Sequence, residues 1–110
     1  MIVRIWHGWT SRANADAYEH LLQEEIFVGI HERHIKGFCG IQLLRRSLTD
    51  PVEFVTIMTF DSLAAVREFV GADYEKAVVP PKARALLARF DERSAHYEVV
   101  DEGRDRKSVV

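Results

Sequence analysis

Several classes of protein are excluded by what this sequence lacks. Its 110 residues contain one cysteine, Cys39, so an internal disulfide cannot form and a reducing, cytoplasmic location is expected. No apolar run approaches the ~18 residues needed to cross a bilayer, and the first residues lack the features of a signal peptide, so no membrane partner is expected. Lysine and arginine number 15 against 17 aspartates and glutamates, which argues against nucleic acid as a partner.

Motifs for nucleotide, flavin and metal chemistry are also missing. The chain has no Cys-x-x-Cys, no nucleophile elbow and no glycine-rich phosphate loop. We therefore expect no cofactor, and any chemistry with oxygen would depend on an electron-rich substrate. His31 and His34 have a spacing that can hold a metal on a helix, with His20 nearby. Because no third ligand is evident and the surrounding residues are polar, we expect no metal site.

The hydrophobic pattern predicts alternating strands and helices. Cap-type residues precede two of the helical patterns, and a Pro-Pro pair precedes the last one. The predicted elements are a strand over 2–9, a helix after Thr10-Ser11, strands over 38–47 and 52–60, a helix from Asp61-Ser62, a helix from Pro81 that includes Leu87 and Phe90, and a strand over 94–100. This order predicts an α+β, ferredoxin-like βαββαβ fold with an antiparallel sheet. Residues 1–100 form the domain, and 101–110 a charged tail.

Both faces of the predicted sheet are apolar, although the helices are enough to cover only one. In the first strand, Val3, Ile5 and Trp9 point one way and Ile2 and Trp6 the other. An uncovered apolar face of this size is unusual in a soluble monomer. The pattern therefore predicts a homodimer that packs sheet against sheet.

The chain resembles antibiotic-biosynthesis-monooxygenase-like (ABM-like) domains of the dimeric α+β barrel superfamily over residues 1 to about 100. The resemblance rests on short segments along the whole domain: Trp9-Thr10, Ala15-Asp16-Ala17-Tyr18, Gly37-Phe38-Cys39-Gly40, Leu44-Arg45-Arg46, Glu53-Phe54, Phe60-Asp61-Ser62, Phe69-Val70-Gly71-Ala72-Asp73, Ala77-Val78-Val79-Pro80-Pro81 and His96-Tyr97-Glu98-Val99. The resemblance to this family implies a pocket between the sheet and the helices. Enzymes of this kind include cofactor-independent oxygenases of phenolic compounds and haem degraders.

The residues that such haem degraders use are replaced in this chain. They have an asparagine near the end of the first strand, a tryptophan on the second helix and a histidine soon after it. This chain has His7, Phe69 and Val79 at those places. The loss of the histidine at Val79 argues against haem degradation.

Two residues are predicted to be catalytic. By its parity with Val3 and Ile5, His7 is expected to face the helices, where it could take a proton from a phenol. The alternative is a buried histidine bonded to the backbone. Tyr74 follows Gly71 in an irregular segment and could donate a hydrogen bond to a quinone oxygen.

Three further residues are predicted to bind substrate. Trp9 and Phe69 could line a slot for a flat aromatic molecule, although core packing is the alternative for both. Arg46 could hold a carboxylate or phenolate, or form a salt bridge between subunits.

Together these features predict a small dimeric, cofactor-independent monooxygenase that acts on an aromatic or phenolic molecule. The alternative is a dimer of the same fold that binds or senses a small ligand without turnover. Haem or metal binding is a third hypothesis.

Overall fold

The computed structural model describes residues 1–103, and its strands and helices largely follow the predicted order. The elements are β1 (Ile2–Thr10), α1 (Arg12–Leu21), a π-helical segment (Leu22–Ile26), α2 (Phe27–Glu32), β2 (Phe38–Arg46), β3 (Val52–Phe60), α3 (Leu63–Val70), α4 (Pro81–Leu86), β4 (Leu87–Phe90) and β5 (Ala95–Glu98). Most of the predicted charged tail, residues 104–110, lies outside the described residues. Within residues 1–103, no helix combines the length and the apolar character that crossing a membrane requires.

The strands form one antiparallel sheet around β1. Its order is β2-β3-β1, and both β4 and β5 pair with the remaining edge of β1. β4 and β5 together occupy the position of the fourth strand of the predicted four-stranded sheet. The ferredoxin-like α+β prediction is therefore confirmed.

The last helix is shorter than predicted. It ends at Leu86, and Leu87–Phe90 form β4, with Leu87 opposite Thr10 and Phe90 opposite Gly8. The edge of β1 offers backbone groups that need partners, and this requirement overrides the helical spacing of the apolar side chains.

The helices begin at the predicted capping residues. The Ser11 hydroxyl accepts a hydrogen bond from the Asn14 amide at 3.2 Å, and the Ser62 hydroxyl accepts one from Ala65 at 3.2 Å. Pro81 occupies the first position of α4, where a missing N–H costs nothing.

The predicted orientation of β1 is wrong. Arg4 and Thr10 are buried beneath the helices and Trp6 lies on the same side, whereas His7 and Trp9 occupy the opposite, open face of the sheet. The sequence pattern favours the more apolar set of side chains as the covered one. Instead the covered face carries an arginine, a glycine and a threonine. Burial of Arg4 is tolerated because the backbone carbonyls of Tyr74 and Lys76 accept hydrogen bonds from its guanidinium.

A bulge at the start of β2 also changes the predicted faces. Phe38 lies opposite Phe60 and Ile41 opposite Met58, so the register shifts by one residue between Phe38 and Gly40. Phe38 therefore shares the covered face with Ile41, from which simple alternation would separate it.

The side chains of β5 face the opposite way from the prediction. Alternation predicts that Tyr97 faces the core, but it lies opposite Val3 on the open face and is 58% exposed. The same pattern predicts His96 at the edge or dimer seam, yet it lies opposite Arg4 on the covered face. The pairing register with β1 decides these directions, and alternation within β5 cannot reveal it.

The covered side of the sheet holds two apolar clusters. One joins α1 and α4 to the hairpin end of β3 and contains Ala15, Tyr18, Leu22, Val52, Phe54 and Ala83. The other packs α3 on the far end of β3 and contains Ile35, Met58, Phe60, Ala65, Val66 and Phe69.

We predict that Gly37→Ala destabilises the protein by about 2 kcal/mol or more. Gly37 has φ +88°, and an added Cβ would lie 2.3 Å from Asp61 Oδ1 and 2.8 Å from the Ala65 Cβ. Both the backbone strain and the overpacking reduce stability. Urea unfolding measures the change in the free energy of unfolding.

Gly29→Ala is the matched control. Gly29 lies in α2 with open space around the added Cβ, so the substitution should leave stability unchanged or raise it by up to about 1 kcal/mol. Equal effects at the two positions would contradict the packing argument.

Candidate functional site

A cavity of about 270 Å³ lies between the helices and the covered face of the sheet. Its wall includes members of both apolar clusters, so it separates the two halves of the core. Most lining side chains are apolar: Trp6, Leu22, Ile26, Phe27, Ile30, Ile41, Met58, Phe69, Val78, Val79, Pro80 and Ala83. A small, mostly apolar cavity with few polar groups is typical of a small-molecule site.

The long first helical region forms one wall of this cavity. It runs without interruption from Arg12 to Glu32, and its middle turn is the π-helical segment that contributes Leu22, Glu25 and Ile26 to the lining. Short π-helical turns are rare and often occur at functional sites. Side-chain spacing in the sequence predicts a helix here but does not reveal the wider turn.

Aromatic side chains contribute to two sides of the cavity. The indole nitrogen of Trp6 donates a hydrogen bond to the Asp91 carbonyl at 2.6 Å, which fixes the ring against β4. Phe69 on α3 packs against Phe60, and the Arg33 guanidinium lies 5.1 Å from its ring centre. Of the residues predicted to bind substrate, Phe69 is the one that lines the cavity.

Arg4 is the charged side chain most deeply buried in the wall, at 4% exposure. Its Nη1 donates to the Tyr74 carbonyl and lies 3.0 Å from His96 Nε2, and its Nη2 donates to the Lys76 carbonyl at 2.9 Å. Burial lowers the pKa of Arg4 to about 10, so the guanidinium is still charged at neutral pH. Sequence reasoning did not select Arg4 as a site residue. A signal was present, because Arg4 is the one charged residue within the apolar run Ile2–Trp6.

Three of the predicted site residues lie together on the open face, away from the cavity. His7 Nδ1 is 2.8 Å from Glu53 Oε2, and the His7 ring stacks on Trp9 at 6.1 Å. Arg46 lies opposite Glu53 in the strand register, and the Arg89 guanidinium sits 3.9 Å from the Trp9 ring centre. A role for these residues therefore requires a ligand or a second chain at the open face.

Tyr74 lies on the covered side but outside the cavity lining. Its ring meets the His96 ring edge-on at 5.3 Å, and the Arg67 guanidinium lies 5.4 Å from its centre. Its backbone carbonyl, however, receives the hydrogen bond from Arg4. The catalytic roles of His7 and Tyr74 stay predictions.

The cavity lining does not fit an iron-ligated haem of the kind that requires a protein histidine. No histidine or cysteine lines the cavity in the described part of the chain, and Val79 contributes only an aliphatic group there. Within residues 1–103, no cluster of three or more possible metal ligands is found. The predicted pair His31 and His34 sits at the end of α2, where the His31 ring packs at 5.5 Å from Phe38.

We predict that His96→Gln makes stability less sensitive to acid. Burial, and next the charge of Arg4, lowers the pKa of His96 below its ordinary value of 6.5, against a smaller opposing effect of Glu75. As the pH falls through 6.5, the unfolded chain takes up this proton before the folded chain, so wild-type stability declines. Glutamine keeps an acceptor for Arg4 and has no proton to gain.

The measurement is the free energy of unfolding at about pH 7.5 and about pH 5.5, a range in which histidine titrates. The decline should be smaller in His96→Gln than in wild type. His34→Asn, at a solvent-exposed position after α2, is the control for replacing a histidine and should decline as wild type does. An unchanged pH dependence in His96→Gln would refute the assignment.

Comparison with known proteins identifies the fold through solved structures. No protein-family model and no curated protein matches the sequence. Among solved structures, the chain is similar to a candidate antibiotic biosynthesis monooxygenase from Bacillus cereus, with TM-score 0.66, 15% identity and coverage of 94% of this chain and 97% of the other. A second such protein, from Deinococcus radiodurans, gives TM-score 0.64, 13% identity and coverage of 96% and 98%.

A third similar structure is the haem degrader MhuD from Mycobacterium tuberculosis, solved with two haems bound in its active site. It gives TM-score 0.56, 18% identity and coverage of 94% of this chain and 99% of that one. At these identities the likeness concerns the fold, and it extends over nearly the whole of each chain. The protein has the ferredoxin-like α+β fold of antibiotic biosynthesis monooxygenase-like proteins.

Proposed function

We propose that the protein is a small oxygenase that binds an aromatic molecule in the cavity and uses no cofactor. The observation that carries this proposal is the apolar cavity with Trp6, Phe27 and Phe69 in its wall. Flat aromatic ligands bury most of their surface against such side chains. Two of the similar structures are candidate antibiotic biosynthesis monooxygenases, and this analogy in fold is the support for an oxygenase.

The chemistry would draw its electrons from the substrate itself. A phenol that has lost its proton to solvent can react with oxygen so that one oxygen atom enters the ring to give a quinone and the other leaves as water, and an apolar cavity protects the reactive anion from side reactions. In this proposal the protein binds and orients the substrate and excludes water. Haem iron has no part in this proposal, because no histidine among residues 1–103 lines the cavity to hold it.

We also propose that the functional unit is a homodimer that packs through the open face of the sheet. This face carries the apolar side chains of Val3, Ile5, Val55 and Ile57, with Trp9 and Tyr97 at its margins. In the single chain these side chains are left partly in water, and covering them would stabilise the assembly. Packing of two such faces would enclose His7 and Glu53 between the subunits.

We predict that Val79→Trp lowers turnover at least about tenfold, since the larger ring fills the cavity. The assay measures oxygen uptake with naphthalene-1,4-diol above the buffer rate, and incorporation of oxygen-18 into the product by mass spectrometry. Leu48→Trp is the control, because Leu48 is 90% exposed on the hairpin. A probe that binds and is recovered unchanged would favour the non-catalytic binding hypothesis.

His7→Ala locates the reaction within the same assay. If the chemistry takes place in the cavity, this variant keeps the wild-type rate, because His7 lies on the other face of the sheet. A loss of turnover in a folded His7→Ala dimer would instead move the reaction to the open face and support the catalytic role predicted for His7.

We predict that Ile57→Lys converts the protein to a monomer. Ile57 lies opposite Ile5 near the middle of the open face, so a lysine there would place a charge inside the proposed interface. Analytical ultracentrifugation at micromolar concentration measures the assembly. Leu48→Lys should remain dimeric, and a monomeric wild-type protein would contradict the proposal.

A further inference from the structure

Arg4 has the unusual position of a charge buried in the wall of an apolar cavity. It is the one charged side chain in the buried class among residues 1–103. Taking a charge out of water is costly unless it is paired and hydrogen-bonded. The charge of its hydrogen-bond partners therefore shows whether the site still lacks a negatively charged group.

The partners of Arg4 are all uncharged. Two are backbone carbonyls, of Tyr74 and Lys76. The third is His96, and because a guanidinium can only donate, Nε2 of His96 must accept and the ring proton must lie on Nδ1. That Nδ1 is buried and has no hydrogen-bond partner among the described residues. His96 is therefore an uncharged hydrogen-bond acceptor for Arg4.

No carboxylate neutralises Arg4 within the described part of the chain. None lies within 4.0 Å of its guanidinium, and the neighbouring Glu75 is engaged by Arg93 at 3.2 Å. Three of the five N–H groups of a guanidinium have partners here, and the rest have none in residues 1–103. The cation is thus held firmly in place, with hydrogen-bonding capacity left over.

Ser94 supplies a second, independent observation. It is 3% exposed, it lines the same cavity, and its hydroxyl has no hydrogen-bond partner among the described residues. Its backbone amide donates to the Glu75 carbonyl at 2.6 Å, which holds the residue in position. Buried hydroxyls normally find a partner, and because Ser94 lines the cavity, its hydroxyl is free to hydrogen-bond a polar group of a ligand there.

We propose that the cavity binds a small organic anion, whose negatively charged oxygen contacts Arg4 and Ser94 while its apolar ring fills the rest of the space. The oxygen belongs to a carboxylate or a phenolate, and both present the same chemistry to the guanidinium. This inference rests on the proposed function and narrows its substrate class from aromatic molecules to ionised ones.

A purely structural use of Arg4 is the alternative. By bonding the carbonyls of Tyr74 and Lys76, Arg4 also ties the segment between α3 and α4 to the sheet. That role accounts for the hydrogen bonds and predicts no preference between charged and neutral ligands. A preference for the anion therefore separates the two roles.

The test compares two probes of nearly equal shape on the wild-type protein. Isothermal titration calorimetry at about pH 8 measures the binding of 2-naphthoate, which is ionised, and of 2-naphthalenemethanol, which is neutral. We expect 2-naphthoate to bind at least about tenfold more tightly, because it compensates the buried charge. This comparison needs no substitution and so holds even if variants at Arg4 fail to fold.

Three variants then locate the anion. Arg4→Met should abolish the preference for 2-naphthoate, and Ser94→Ala should reduce it. The matched control is Arg33→Met: Arg33 also lines the cavity, but at its solvent-exposed margin, so the preference should persist. Circular dichroism and thermal unfolding verify that each variant is folded.

The outcomes separate this inference from the proposed function. Equal affinity for the two probes would overturn the inference and leave the cavity as an aromatic-binding site. Binding of neither probe would overturn both. Loss of the preference in Arg33→Met together with its retention in Arg4→Met would assign the anion to the margin of the cavity and overturn the role of Arg4.

Discussion

The pairing of β1 on both of its edges is the constraint on which the rest of the structure depends. β3 binds one edge along the full length of β1, and β4 and β5 share the other. The register of these ladders determines that Arg4 and Trp6 face the helices and that His7 and Trp9 do not, because successive side chains of a strand alternate between faces. A register shifted by one residue would exchange the two sets.

The cavity follows from how the helices cover that sheet. The first helical region widens into a π-helical turn where it passes over the strands, and the short α4 closes the side at Ala83. Two apolar clusters form at either end of the covered face, and the space between them is left open. Arg4 and Ser94 are the buried polar side chains in its wall, and the backbone carbonyls of Tyr74 and Lys76 hold the Arg4 guanidinium in place.

The two faces of the sheet divide the functions that we propose. The covered face forms a cavity for a ligand, and the open face has the apolar surface that a second copy would cover. Three residues that the sequence predicts to act on substrate, His7, Trp9 and Arg46, lie on the open face around Glu53. Their shared location separates them from the cavity and places them on the surface that the proposed dimer would bury.

Local patterns in the sequence determined four of the five strands, the helix starts at Ser11, Ser62 and Pro81, and the ferredoxin-like order, because caps and periodicity act over a few residues. Phe69 could also be selected from its place on an amphipathic helix. The sequence by itself did not decide which face of β1 is covered, where β2 bulges, or that Leu87–Phe90 form a strand. These features depend on pairing between distant segments, and so only the tertiary structure brought Arg4, His96 and Ser94 together. Strand alternation specifies two faces, but only the register and the packed helices decide which of them is buried.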